Sequence, residues 1–246
     1  MGFDLDGWVG EASFWRKVFV VFGLGFLARL FLNLFFHFRW GWRAVNQIEL
    51  WFYAGVADGS YVKYLHGGWL DPTVWILRPL GFLLPRDFLA YGVGFAGVFL
   101  SALTGVLVYV LVRQSQEGRT AVYSALIYSF MVEVLALSTV SFTHGLVQIP
   151  LMLSLMVVAG RLADSSSRRE GLLLSGLYLA IAFFGFRVNV EMSVGVFISI
   201  AYALGLTVKK EYSGVYAGLV CLAIVLGGIL ILPPVLAGVV GRLPQG

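Results

Sequence analysis

Residues 37–72 read HFRWGWRAVNQIELWFYAGVADGSYVKYLHGGWLDP. The stretch gathers Arg39, Arg43, Asn46, Gln47, Glu49, Asp58, Lys63, His66 and Asp71 among Trp40, Trp42, Trp51, Tyr53, Tyr61, Tyr64 and Trp69. Apolar runs flank it on both sides. Trp and Tyr favour the headgroup layer of a bilayer, and charges are costly any deeper. The segment therefore reads as a long, wet loop at a membrane surface. The chain around it reads as a helical bundle.

Composition supports that division. Hydrophobic residues make up 59% and charged residues 12%, against roughly 25% charged in an ordinary soluble domain. Mean hydropathy is +0.88, so the chain is an all-α polytopic membrane protein. The lone cysteine, Cys221, sits in an apolar run, which excludes an internal disulfide and a Cys-based metal site. A net charge of +4 would suit nucleic acid. The Lys and Arg residues cluster at span boundaries, however, where orientation and anionic lipid headgroups account for them, and no nucleic-acid partner is expected. Asp4, Asp6 and Glu11 precede the first apolar run, which lacks a small-residue cleavage site, so no cleavable signal peptide is expected.

A bilayer takes about 20 apolar residues per helix. By that rule spans are expected at 18–38, 88–112, 121–139, 145–163, 171–190, 192–208 and 215–240. They form one transmembrane domain over 1–246, with a first loop over 39–87. The stretch 73–84 holds Arg78 and is bounded by Pro72 and Pro85, so it reads as interfacial or re-entrant. Arg16, Lys17, Arg113, Arg119, Arg161, Arg168, Arg169, Lys209 and Lys210 all fall on one side of this arrangement. The positive-inside rule then places the N-terminus in the cytoplasm and the wet loop toward the lumen or exterior.

Residues 46–53 read as a short amphipathic helix, with Asn46, Glu49 and Tyr53 on one face and Ile48, Trp51, Phe52 and Val56 on the other. A carboxylate at a dry, aromatic-lined boundary can be tuned into a general base. Glu49 can equally be a solvated charge or pair with Arg39 or Arg43. Asp58-Gly59-Ser60 and Gly67-Gly68 read as turns, and Asp71-Pro72 as a helix start. Arg78 either snorkels to headgroups or grips a phosphate. On the same side, residues 141–145 (SFTHG) include His144, and Arg187 stands four residues before Glu191. That pair is either an ion pair at the membrane edge or a phosphate-binding Arg positioned by Glu191. Mid-span Glu133 needs a partner, for which Arg29 is the candidate. His66 and His144 with Glu49 or Asp58 match no metal-ligand spacing. No cofactor is expected, with a divalent metal left open.

The stretch 49–61 (ELWFYAGVADGSY) resembles the acid, Trp-Tyr, small-apolar, Gly-x-Tyr pattern of the PIG-V-like GPI mannosyltransferase 2 group. Residues 71–79 (DPTVWILRP) are similar to that group's aromatic-proline stretch, and 171–187, ending AFFGFR, to the small-apolar helix ending in Arg of several GT-C families. A Glu in a Tyr-rich loop helix also resembles protein C-mannosyltransferases. The chain is thus identified with the GT-C superfamily of membrane glycosyltransferases. Two departures accompany the resemblance: GT-C enzymes usually carry further helices or a soluble domain, and residues 143–145 (THG) stand where an acid is frequent. The resemblance implies a seven-helix core and transfer of a sugar, with mannose expected, from a polyprenyl-phosphate donor to a lipid or protein acceptor on the non-cytoplasmic side. It implies Glu49 as base, Arg187 and Arg78 on the donor phosphate, and Asp58, His144 and Glu191 in support. Trp51, Tyr53 and Trp69 would contact sugar or lipid, and membrane lipids and a partner subunit are the further partners. The alternatives are a non-catalytic GT-C-like subunit, or a small transporter working through Arg29, Glu133 and Arg187/Glu191.

Overall fold

The structure, a computed structural model, describes residues 12–40, 47–65, 67–131, 134–135, 147–165, 167–189 and 192–209. Their regular structure is entirely helical. In chain order the α-helices are α1 (Phe14–Trp40), α2 (Gln47–Asp58), α3 (Pro72–Leu83), α4 (Leu89–Arg113), α5 (Gly118–Phe130), α6 (Ile149–Asp164), α7 (Arg168–Val188) and α8 (Met192–Lys209). Short 3-10 turns at Val62–Tyr64, Gly68–Leu70 and Arg86–Phe88 join α2, α3 and α4.

The hub is α4, which packs against α1, α2, α5 and α6. Its sequence explains why: Gly94, Gly97, Ser101, Ala102 and Gly105 are buried, and small residues at helical spacing let neighbouring helix backbones approach closely. Buried polar groups bind the helices to one another. Arg29 of α1 donates from Nε to Ser101 Oγ of α4 (2.7 Å) and from Nη1 to the Gly25 carbonyl (2.8 Å). Gln114 Nε2 donates to the Val157 carbonyl of α6 (2.8 Å), and the Tyr178 hydroxyl of α7 bonds Ser199 Oγ of α8 (2.7 Å). Large apolar side chains such as Phe19, Phe31, Leu173 and Phe197 lie exposed on the outside. An apolar exterior over a small-residue and polar interior suits lipid as solvent.

Three described helical segments are long and apolar enough to cross a membrane: Phe14–Phe35, Arg86–Arg113 and Arg168–Val188. The seven expected spans are not all matched by such helices. In α5 there are 13 residues, and in α6 there are 16. At 1.5 Å per residue they reach about 20 and 24 Å, short of the roughly 30 Å hydrocarbon core. Val147 and Gln148 continue α6 as a π-helical turn, and residues 132–133 and 136–146, which the expected spans 121–139 and 145–163 include in part, lie outside the described residues. The apolar part of α8, Val194–Leu206, is likewise short, and the expected span 215–240 lies outside the described residues.

Candidate functional site at the first loop

The loop folds as a helical corner beside α4 and α7. The helix expected near residues 46–53 is present but runs to Asp58, and its faces differ from the sequence reading. Tyr53, Ala54, Val56 and Ala57 are buried in a core with Val62, Val74, Leu77, Leu89 and Val93, while Trp51 is 56% exposed. The reason is tertiary. Helices α3 and α4 pack on α2 and claim the face carrying Tyr53, so Trp51 takes the outer side. A Cβ on Gly81 would strike the Ala57 carbonyl, so α3 can cross α2 only at a residue without a side chain.

Both turns and the helix start lie where the sequence places them. Ser60 donates its backbone N–H (2.8 Å) and its hydroxyl (2.6 Å) to Asp58 Oδ1, and Gly59 takes a φ of 93°, the left-handed region open to glycine. Arg86 Nε stands 3.7 Å from Asp58 Oδ2. Burial works against the Asp58 charge. The Ser60 hydrogen bonds and the positive charges of Arg86 and Arg78 outweigh it and hold the carboxyl below its ordinary range. Asp58 is therefore an ionised turn-former. Buried Asp71 caps α3 by accepting from the Thr73 N–H (2.8 Å), with Pro72 in the first turn.

Arg78 and Arg187 flank one turn. Arg78 Nη1 donates to the Ala57 carbonyl at the end of α2 (2.8 Å). Its guanidinium carbon lies 4.7 Å from the Phe82 ring centre and 6.0 Å from that of Trp69. Arg187, in the last turn of α7, lies over Phe183 at 5.1 Å. Across from it, a Cβ on Gly67 would come within 2.7 Å of both the Arg187 Cβ and its carbonyl oxygen. The turn at Gly67–Trp69 is thus pressed against Arg187 at one end and reaches Arg78 at the other. Trp75 of α3 meets Phe184 of α7 edge-on at 4.7 Å, which locks the same corner. Arg78 spends part of its hydrogen-bonding capacity on structure, whereas Arg187 has no ion pair or hydrogen bond from its side chain among the described residues.

Of the other candidates, Trp69 is exposed and Tyr53 is buried at 1% exposure, so only the first presents a ring to a ligand. Glu49 belongs to the first turn of α2, with its side chain outside the described residues. His66, Glu133, His144 and Glu191 also lie outside them, and with them the Arg187–Glu191 and Arg29–Glu133 pairings and the metal alternative. Residues that the sequence reading passed over are Arg86, which pairs with Asp58, and Gly81, whose missing side chain lets α3 cross α2; Gly67 was read as a turn, but not its packing against Arg187. Their signal was weak, because a glycine at a helix crossing looks like any other glycine until its neighbour is known.

The chain matches no curated protein and no solved structure. It does match a protein family over residues 73–231, described as dolichyl-phosphate-mannose-protein mannosyltransferase. Arg78 and Arg187 lie inside the matched stretch, and Glu49, Trp51 and Asp58 precede it. The match covers well over half of the 246 residues and agrees with the superfamily read from the motifs. The chain belongs to the dolichyl-phosphate-mannose-protein mannosyltransferase family of membrane glycosyltransferases.

Proposed function

We propose that the protein transfers mannose from a polyprenyl-phosphate donor to a protein or lipid hydroxyl on the non-cytoplasmic side, from a seven-span bundle whose first loop carries the chemistry. The observation that supports this most is Arg187. It is a cation at the loop end of a long apolar helix, lacks an anionic partner among the described residues, and is packed against the turn that also contacts Arg78. A guanidinium held this way suits a phosphate at the membrane surface.

In this reading Glu49 takes the proton from the acceptor hydroxyl as its oxygen attacks the anomeric carbon. The bond from that carbon to the phosphate oxygen breaks, and the configuration inverts. Charge builds on the departing lipid phosphate, where Arg187 and the remaining donors of Arg78 stabilise it. Exposed Trp51 and Trp69 offer faces for the sugar or the lipid interface. Asp58 shapes the loop without touching the reacting atoms.

The test is transfer of radiolabelled mannose from dolichyl-phosphate mannose by purified protein in lipid, with membrane-extracted acceptors, alongside Glu49→Gln. Wild-type transfer reduced about 10²–10⁴-fold in the variant is the outcome for a general base. Full activity in Glu49→Gln would overturn the assignment of the base. No transfer by folded wild type would favour a subunit without catalysis of its own.

A further inference from the structure

We infer that the opposite end of the bundle holds a binding site for a phosphate-type anion, built from Lys17, Arg113, Arg119 and the start of α5. Lys17 lies in the first turns of α1 and is only 7% exposed. Its ammonium has no hydrogen-bond or ion-pair partner among the described residues. The side chain is buried as a whole, and its ammonium faces further positive charge. A Cβ on Gly118 would stand 3.2 Å from Lys17 Nζ and would clash with Arg113 Nη1. Lys17 and Arg113 therefore converge on the single point that the glycine leaves open. Arg119 adds a third positive charge acting on Lys17.

The same point is the N-terminus of a 13-residue helix, where backbone N–H groups and the positive end of the helix dipole face outward. Glu117, the residue before it, is exposed and makes no side-chain cap bond to those N–H groups. Three cations and a set of uncapped amides at one place, with no carboxylate bonded to them among the described residues, match the recognition chemistry of a phosphate. A cleft of about 390 Å³ lined by Phe14, Arg113, Gln114, Arg161 and the carboxylate of Asp164 opens beside it, and Trp15, two residues before Lys17, is exposed, as aromatic side chains are at the headgroup layer. The anion can be a lipid headgroup or a free phosphate. The site is separated from the first loop by the length of α1, so it is distinct from the proposed donor site.

The experiment uses the full chain in phosphatidylcholine nanodiscs, with two arms. One adds phosphatidic acid to the discs and reads retained lipid by native mass spectrometry. The other titrates inorganic phosphate and follows its phosphorus NMR line width. Lys17→Met and Arg119→Gln should each weaken binding roughly fivefold, the weight of one Lys or Arg at an anionic surface. Gly118→Ala should weaken it without changing charge, and Arg168→Gln, a cation on the same side but outside the cluster, should leave it unchanged. Losses in the first arm alone identify a headgroup, and losses in the second identify a free phosphate. Should Lys17→Met fail to fold, exposed Arg119 and Gly118 carry the test. Wild-type binding in all three cluster variants, an equal loss in Arg168→Gln, or no binding by wild type in either arm would overturn the proposal.

Discussion

Arg78 and Arg187 are both assigned to the donor phosphate, yet their surroundings predict opposite consequences of losing them. Arg78 gives a charge-assisted hydrogen bond to the Ala57 carbonyl at 2.8 Å and lies over Phe82. Such a bond contributes about 1.5–3 kcal/mol and the ring contact about 0.5–1 kcal/mol. Ala57 is fully buried, so the carbonyl abandoned in Arg78→Met has little access to water. A net loss of about 2–3 kcal/mol of stability follows. Arg187 has only the Phe183 ring, worth about 0.5 kcal/mol at a half-buried site. Arg187→Gln should therefore unfold nearly as wild type does. If it stabilises charge on the departing phosphate, the same variant should lose about 10²–10³-fold in transfer rate. Thermal unfolding followed by tryptophan fluorescence gives the first quantity, and single-turnover mannose transfer in lipid gives the second. An Arg187→Gln protein that transfers at the wild-type rate, or one that is destabilised as much as Arg78→Met, would refute the reasoning.

Three other outcomes follow from the same corner. Gly81→Ala should cost about 1–3 kcal/mol through overpacking against the Ala57 carbonyl, measurable by the same unfolding assay, with Gly176→Ala, whose Cβ meets nothing within 4 Å, as the comparison. Asp71→Ala should cost about 1–2 kcal/mol by removing the cap of α3, and Asp71→Asn should recover most of it. Asp58 carries a depressed folded-state pKa, so its contribution is present above the ordinary carboxylate range and is lost as pH falls through and below that range. Unfolding profiles of wild type and Asp58→Asn should therefore converge in acid and separate toward neutrality.

How legible the loop was depends on the range of the interaction involved. The turn at Asp58-Gly59-Ser60 and the helix start at Asp71-Pro72 were readable because their hydrogen bonds close within two residues and depend on residue type alone. The orientation of α2 was not. A helix of this composition can turn either Trp51 or Tyr53 inward, and the choice falls to α3 and α4, which bury the Tyr53 face. The proximity of Arg78 to the turn that packs on Arg187 was equally hidden, since more than a hundred positions separate the two arginines in the chain.

The sequence by itself determined that this is a membrane protein with a charged, aromatic first loop, and its motifs led to the right glycosyltransferase superfamily. Hydropathy and residue type are additive along a chain and need no partner to be read. The tertiary structure decided which apolar segments form long helices, which arginine is committed to holding α2 and α3 together, and which makes no hydrogen bond or ion pair from its side chain among the described residues. It also gathered Lys17, Arg113 and Arg119 at one helix start. Those outcomes depend on distances between residues far apart in the chain, and only packing, through glycines small enough to let backbones meet, sets such distances.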